Sequence, residues 1–425
     1  MKIVIRPDRA GWPALCQRPE PAIEELESTV RDMMAQVRHG GDKALHALTQ
    51  LLDGVKSEQL AVSTLHPVSI PSDLDLAITM AWRNIEAFHR AQIPQEIAVS
   101  TQPGVDCWRR ALPLDRVGLY VPGGTAPLFS TLLMLGIPAR LAGCREIVVC
   151  TPPDVHGALH PVMAEVARRL GIDQVFTIGG AQAIAAMTFG TESIPAVDKL
   201  FGPGNSYVTR AKQIAQEFGV AIDMPAGPSE LLVIADASCN PAFVAADLIS
   251  QAEHGPDSQV MLVSDDEDVV RAVVEQIAAQ LPSLPRAEIA YKSLESSYGL
   301  VLDDLDTAMA FSNLYAPEHL ILATRNAEQL ADQVRHAGSV FVGNYSCESA
   351  GDYASGTNHT LPTNRFARQY SGVSVESFMK YITFQRMTSE GLRRIGPAIA
   401  TLASAEGLEG HRRAVTVRLK SLTNV

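Results

Sequence analysis

The chain has 425 residues, 46% of them hydrophobic, which is enough to bury the cores of two to four domains. Its formal net charge of −12 at pH 7 argues against a nucleic-acid surface or an anionic-membrane surface, so neither partner is expected. Its six cysteines are widely spaced and form no CxxC pair, which argues against a disulfide framework. The N-terminal residues lack the apolar segment of a signal peptide, and a cytoplasmic location is expected.

The sequence pattern of the N-terminal quarter predicts one strand followed by several helices. KIVI has the character of a short strand, and residues 1–20 are assigned to an N-terminal arm. Apolar residues recur at helical spacing from about Ala22, and Gly40 with Gly41 ends that helix. Asp42 can cap the next helix, and a further helix is expected near residues 74–88. These helices could form a layer beside a sheet.

From Val117 onward, strand-like and helix-like segments alternate. The expected strands are GLYV, REIVVC, QVFT and KLF. This alternation predicts a parallel sheet with helices on both faces, over about Tyr120 to Met224. No GxGxxG fingerprint occurs there, but VPGG, IGGAQ and GPGN each lie between a strand and a helix. Their amides could hold a pyrophosphate, or they could be ordinary tight turns.

A second α/β run follows the first. Its expected strands are LLVIAD, QVMLVSD, GLVLDD, LILAT and GSVFVG. Asn240 and Pro241 are typical of a helix start, and that helix ends in SQAEHG. From about Val373 the pattern predicts a helical tail with the amphipathic segments VESFMKYITFQ and GLRRIGPAIATLASAEGL. The predicted fold class is therefore α/β, with an N-terminal arm and a helical C-terminal tail.

Four residues suggest a metal site. Gln251 and His254 are three residues apart at a helix end, which places an amide oxygen and an imidazole on one face. Asp352, in SAGDYASGTNH, and His411, near the C-terminus, could add a carboxylate and a second imidazole. Such a set suits a divalent ion of hard-to-borderline character. Taken singly, a histidine at a helix end can equally be a cap, and Asp352 can be a turn residue.

A pair of neighbouring residues suggests acid/base chemistry. Glu318 and His319 stand together in APEHL, just before a predicted strand. A carboxyl group and an imidazole beside a metal could move protons during a reaction. His359 lies seven positions after Asp352 and could either orient a substrate or serve as a hydrogen-bonded structural residue. The Glu318–His319 pair could also be an ordinary turn into the strand.

In this order, the motifs resemble those of the histidinol dehydrogenase family, over roughly Ile23 to Leu419. The matching segments are GLYVPGGTAPLFST, IGGAQAIAA, FGPGNSYVTRAK, DMPAGPSELLVIAD, SQAEHGPDSQ, LYAPEHL, SAGDYASGTNHTLPT and EGLEGHRRAVTVR. The resemblance implies two related, incomplete Rossmann-like domains. It assigns residues 21–119 with 234–372 to a metal-binding catalytic domain and residues 120–233 to an NAD-binding domain. Residues 373–425 become a tail that contributes to a homodimer and to its active sites.

The resemblance also implies a reaction, which is the oxidation of L-histidinol to L-histidine through L-histidinal, with NAD as oxidant and one zinc ion per subunit. It implies that the family's functional residues have these counterparts: Gln251, His254, Asp352 and His411 for zinc; Glu318 and His319 for acid/base catalysis; Ser229, Gln251, His254, His319, Asp352, His359, Glu406 and His411 for substrate; Tyr120, Gln182 and Asn205 for NAD. His319 would take the alcohol proton, and Glu318 would activate the water that attacks the aldehyde. No acidic residue can be assigned to the NAD ribose.

Three alternatives to this interpretation can be distinguished. A thiohemiacetal route needs an activated cysteine, and Cys107 and Cys144 come nearest to one. A dehydrogenase on the same scaffold could oxidise another amino or sulfonated alcohol, although Glu406 and His411 favour histidinol. A binding protein without activity would be expected to have lost Glu318 or His319, and the chain keeps both.

Overall fold

The computed structural model describes residues 1–19, 23–55, 59–123 and 127–423, without the side chains of residues 23–25 and 423. Ala22, near which the first long helix is predicted to begin, and Gly124 of the VPGG turn lie outside the described residues. The strands of the described residues are β1 (Lys2–Ile5), β2 (Ala61–Ser63), β3 (Ile97–Gln102), β4 (Val105–Pro113), β5 (Arg116–Tyr120), β6 (Glu146–Thr151), β7 (Gln174–Thr177), β8 (Lys199–Phe201), β9 (Ala221–Ile222), β10 (Glu230–Ala235), β11 (Gln259–Ser264), β12 (Tyr298–Val301), β13 (His319–Ala323), β14 (Ser339–Val342) and β15 (Met379–Met387).

The α-helices of the described residues range from short turns to a 30-residue segment. They are α1 (Trp12–Leu15), α2 (Ile23–Leu52), α3 (Ser72–Arg90), α4 (Phe129–Ala142), α5 (Pro161–Arg169), α6 (Gly180–Phe189), α7 (Ser206–Ala215), α8 (Pro241–Ala252), α9 (Glu267–Gln280), α10 (Ala287–Glu295), α11 (Leu305–Tyr315), α12 (Ala327–Ala331), α13 (Glu348–Tyr353), α14 (Ser389–Ala405) and α15 (Glu409–Thr423). Gly41, with φ 52°, breaks α2 at the predicted position. Within the described ranges, no helix has both the length and the apolar character needed to cross a membrane.

The first sheet is fully parallel and has the order β1-β12-β11-β10-β13-β14. All six residues of β10 and all six of β11 are buried, as expected of central strands covered on both faces. Alternate residues of β10 belong to two apolar cores, one on each face of the sheet. The first core contains residues of α8 and α9, and the second contains residues of α11. This confirms the second predicted α/β run. The N-terminal arm belongs to the same sheet, because β1 pairs with β12 and Trp12 lies in the core.

The second sheet has the order β2-β7-β6-β5-β8-β9 and is parallel except for β2 against β7. It confirms the first predicted run. β2 pairs with β7 in this sheet, and α2 packs against the helices that cover it, although the predicted division placed residues 21–119 with the other domain. The reason is packing: Val30, Met34 and Val37 of α2 share one core with α6 and α7.

The described chain divides into two compact units. The first comprises residues 1–92 and 114–378 and holds both parallel sheets; the second comprises residues 93–113 and 379–425. The second unit contains the antiparallel sheet β15-β4-β3 with α14 and α15. The predicted helix VESFMKYITFQ is therefore wrong beyond Phe378, where β15 begins. β15 pairs with β4 along nine residues, and Phe384 stacks on Trp108 with ring centroids 5.3 Å apart.

Candidate active site

A cavity of about 350 Å³ lies in the first unit. Its walls come from the amino ends of strands of the first sheet, from the end of α8, from α13 and from the turn between β8 and α7. The candidate site residues that line it are Asn205, Ser229, His254, Glu318, His319, Asp352 and His359. Residues assigned from sequence motifs more than 150 positions apart thus meet at one pocket.

Glu318 is placed by a tight turn after α11. Ala316 adopts a left-handed conformation (φ 53°), ends α11 and turns the chain toward β13. The Glu318 side chain is buried, and its Oε2 accepts a hydrogen bond from the backbone N–H of Glu230 at 2.9 Å. Burial raises the pKa of Glu318 well above its ordinary range, which favours the protonated form. A buried carboxyl group with a raised pKa is a candidate for acid/base catalysis.

His319 opens β13 and is buried beside Glu318. Its Nδ1 lies 3.1 Å from the backbone carbonyl of Glu230, so the proton of the neutral ring resides on Nδ1. Its Nε2 has no hydrogen-bond partner among the described residues and lies 3.7 Å from Oδ1 of Asp352. Burial lowers the pKa of His319, which keeps the ring neutral and able to accept a proton at Nε2.

Glu348, which sequence reasoning missed, lies beside two of the metal candidates, Gln251 and Asp352. Gln251 is fully buried, and its amide is assigned with the nitrogen toward Glu348, because the opposite orientation would place the amide oxygen against the carboxylate. In this orientation the nitrogen donates to both oxygens of Glu348, at 3.1 Å to Oε2. Ligand atoms of His319, Glu348 and Asp352 lie within 4.8 Å of one another, a spacing that a metal ion could bridge. Burial raises the pKa of Glu348. Its four-residue separation from Asp352 within α13 was an available sequence signal.

His254 and His359 flank the cavity. His254 is exposed through the pocket, and Nδ1 lies 3.4 Å from Oγ of Ser229; the surrounding walls still lower the pKa of the ring by desolvation. His359 has its Nδ1 2.9 Å from the backbone carbonyl of Asp352 and its Nε2 3.2 Å from Oγ1 of Thr131. His359 thus stabilises the end of α13, where Asp352 lies, which supports a structural role beside the predicted substrate contact.

The NAD candidates lie around the turns of the second sheet. Tyr120 is buried, and its hydroxyl accepts a hydrogen bond from the backbone N–H of Gly180. Gln182 is also buried, and its Oε1 has no partner within the described part of the chain. Asn205 caps α7 by accepting from Val208 N–H at 3.1 Å, and it lines the cavity. An unpaired buried amide oxygen fits a site that a polar ligand completes.

The remaining candidates, Glu406 and His411, belong to the second unit. Glu406 caps the end of α14, His411 lies in the first turn of α15, and both are exposed.

The cysteines do not support a thiohemiacetal route. All six lie within the described residues, and none of them lines the cavity. Burial raises the pKa of Cys144 to about 11, which suppresses the thiolate that such a route needs.

Comparisons with known proteins give the family. A family model described as histidinol dehydrogenase matches residues 16–419. The chain belongs to this family. It is 52% identical to a histidinol dehydrogenase of Bacteroides fragilis (strain YCH46) over 99% of this chain and 100% of that one. It is 49% identical to one of Vibrio parahaemolyticus over 95% of each chain. The protein is therefore an oxidoreductase, as predicted.

Solved structures agree with this assignment. The crystal structure of histidinol dehydrogenase from Elizabethkingia anophelis has a TM-score of 0.95 and 53% identity, over 100% of this chain and 99% of that one. A putative aldehyde dehydrogenase from Burkholderia cenocepacia has a TM-score of 0.51 at 16% identity, over 89% and 90% of the two chains. That second likeness concerns the fold alone.

Proposed function

We propose that the protein oxidises L-histidinol to L-histidine through L-histidinal, with NAD as the oxidant and zinc in the site. Family membership supports the substrate. The structural observation that carries the chemistry is the buried, unpaired Nε2 of His319, which faces the cavity beside Glu318 and Asp352. An acceptor nitrogen left without a partner in a pocket is suited to receive a proton from a bound substrate.

In the first oxidation, His319 acts as general base. Its Nδ1–H is held by the Glu230 carbonyl, so Nε2 is the atom that takes the alcohol proton. The resulting imidazolium is stabilised by the charge of Asp352, whose Oδ1 lies 3.7 Å from Nε2. NAD, when bound, supplies the hydride acceptor for both oxidations.

In the second oxidation, Glu318 acts as the base for water. Its position is fixed by the hydrogen bond from Glu230 N–H, and burial raises its pKa, which makes its carboxylate form a stronger base than an exposed glutamate. After releasing its first proton to solvent, His319 receives a second proton as the hydrated aldehyde is oxidised. Over the two oxidations, His319 therefore receives two protons and Glu318 receives one.

The zinc set proposed is Gln251, His254 and Asp352, completed by His411. The donors fit the ion, because an amide oxygen, a carboxylate and imidazoles are suitable ligands and Gln251 is already oriented by Glu348. Zinc in such a site anchors and orients the substrate and stabilises developing negative charge. Ser229, His359 and Glu406 are proposed as further substrate contacts, with Glu406 suited to the substrate ammonium.

We propose that Gln182 and Asn205 contact NAD and that Tyr120 acts indirectly. Gln182 offers the unpaired buried oxygen, and Asn205 reaches the cavity from the N-terminus of α7. Tyr120 contributes through its hydroxyl, which positions the N-terminus of α6. Helix N-termini with free amides are suited to a pyrophosphate.

The experiment measures NADH formed per histidinol consumed by the purified protein. Two NADH per histidinol, with histidine as the product, is the expected result. A chelator should abolish this activity, and zinc should restore it; full turnover in verified metal-free protein contradicts the zinc part. A ratio of one leaves only the alcohol step, and faster turnover of other amino or sulfonated alcohols favours a different substrate on the same scaffold.

A further inference from the structure

A buried ion pair lies directly behind the candidate active site. The guanidinium of Arg18, in the N-terminal arm, places Nε and Nη2 each 2.9 Å from one carboxylate oxygen of Glu230. The two side chains are only 4% and 1% exposed. A pair so fully removed from water brings little net stability compared with apolar residues of the same size. Its presence therefore calls for another explanation.

Arg18 connects two backbone segments that carry the site. Besides Glu230, its Nη2 donates to the backbone carbonyl of Tyr315 at 2.8 Å, and its guanidinium carbon lies 3.6 Å from the centre of the Tyr315 ring. Tyr315 is the last residue of α11, three positions before Glu318. Nη1 donates to the carbonyl of Cys16 at 2.8 Å, which holds the guanidinium to its own arm. Arg18 thus ties the start of β10 to the turn before β13.

The backbone of Glu230 contacts both acid/base residues. Its N–H donates to Oε2 of Glu318 at 2.9 Å, and its C=O lies 3.1 Å from Nδ1 of His319. With the Gln251 amide nitrogen assigned toward Glu348, the same N–H lies 3.3 Å from the amide oxygen of Gln251. The Glu230 side chain also accepts from Asn364 N–H at 2.7 Å, so the residue is held from both sides. Any shift of Glu230 would move the donor of Glu318 and the acceptor that sets the His319 tautomer.

We propose that Arg18 is a positioning residue for the acid/base pair, acting through Glu230 and through the carbonyl of Tyr315. It touches neither the cavity nor the reacting atoms among the described residues. Its bidentate contact holds the β10 backbone where the Nδ1–H of His319 is bound and Nε2 remains free. Lysine would keep the positive charge, but it lacks the planar guanidinium that donates at once to Glu230 and to the carbonyls of Tyr315 and Cys16. This inference rests on the proposed function, because the effect is on proton transfer during histidinol oxidation.

The test compares steady-state kinetics of the zinc-loaded protein with Arg18→Met, Arg18→Lys and the double variant Arg18→Met/Glu230→Gln. The double variant leaves no unpaired buried charge and keeps an acceptor for Asn364, so it should fold even where Arg18→Met does not. We expect kcat to fall by about 10- to 100-fold in the double variant and in Arg18→Lys, as for other supporting contacts around a site. KM for histidinol should change by less than about threefold, because no binding group is removed.

The matched control is Arg6→Met, which removes an arginine from the same arm whose ion pair with Asp303 is exposed. It should leave kcat and KM unchanged. The pH profile of kcat should shift in the Arg18 variants and not in the control, since the environment of His319 changes only in the former. If the folded double variant keeps the wild-type kcat and the wild-type pH profile, the inference is overturned. It is also overturned if KM rises and kcat does not change. Absence of histidinol oxidation by the unaltered protein refutes the proposed function instead, and is seen before any variant is made.

Discussion

At the scale of single residues, burial shifts the pKa values of the neighbouring residues Glu318 and His319 in opposite directions. It raises the pKa of Glu318 and lowers the pKa of His319, so both groups favour their neutral forms. A neutral imidazole can take a proton, whereas a neutral carboxylic acid must first lose one. As pH rises through the raised pKa of Glu318, the carboxylate form becomes available. The step that needs Glu318 as a base should therefore gain rate with pH over a range above the ordinary one for glutamate.

The division of work between these two groups can be tested with two substitutions. Glu318→Gln should slow histidinal oxidation more than histidinol oxidation, because only the former needs activated water. His319→Asn should slow both, since each oxidation releases a proton. A positioned base contributes about 10²- to 10⁴-fold. Separate assays starting from histidinol and from histidinal measure the two steps, and equal losses for Glu318→Gln would refute the division.

Glu348 is expected to support the metal site from behind. The carboxylate of Glu348 offers two acceptor oxygens to the Gln251 amide nitrogen. In Glu348→Gln one of these oxygens is replaced by a donating NH₂ group, so one acceptor is lost. Loss of such an outer contact typically weakens metal binding by about 10- to 100-fold. Competition with a chelator, read as zinc content, measures the effect without relying on turnover. Glu295→Gln, on the exposed surface of α10, is the matched control, and equal zinc affinity in the two variants would exclude this role.

At the scale of elements, hydrophobic patterning predicted the strands of the two six-stranded sheets except the short strands β2 and β9, because buried strands are short apolar runs between turns. It did not predict β15, where Tyr381, Ile382, Thr383 and Phe384 have strand-forming side chains within a run that also permits a helix. It could not show that the site meets the amino ends of β10 and β13. Ligand sites in α/β sheets usually lie at carboxyl ends, and only the second sheet follows that pattern here, through Asn205 after β8.

A second buried ion pair fixes the turn after β8. Nζ of Lys212 lies 2.5 Å from Oδ1 of Asp223 and donates to the carbonyl of Gly202 at 2.8 Å, and both charged side chains are almost fully buried. Lys212→Met would leave the Asp223 carboxylate without its partner. We expect the free energy of unfolding to fall by about 3–5 kcal/mol in denaturant titrations.

Two further variants make the stability prediction specific to the broken pair. Lys292→Met removes an exposed lysine from α10 and should change the free energy of unfolding by less than about 0.5 kcal/mol. Lys212→Met combined with Asp223→Asn removes both charges and should be less destabilised than Lys212→Met alone. A loss of under 1 kcal/mol in Lys212→Met would show that the pair is not needed for the turn.

At the scale of the whole molecule, the second unit has features of an association surface. Its sheet exposes Ile97 (53%), Val99 (55%) and Ile382 (40%), and its helical hairpin exposes Leu402 (65%) and Leu408 (44%). Ile97 and Val99 lie on one face of β3, because side chains two positions apart in a strand point the same way. Exposed apolar side chains that share a face can mark a site of protein association. Together with the family resemblance, they support the proposal of a homodimer in which the tail of one subunit completes the site of the other.

That proposal predicts complementation between two inactive variants. His254→Ala damages the core part of the site and His411→Ala damages the tail part. If the tail acts in the partner's site, a mixed dimer contains one intact site and one doubly damaged site. Random mixing makes about half of the dimers mixed, so co-expression should restore roughly a quarter of wild-type activity in a two-fold symmetric dimer. If the tail acts within its own subunit, every site carries one lesion and mixing restores nothing. Dual affinity tags isolate the mixed dimers, and inactive mixed dimers would rule out the shared site.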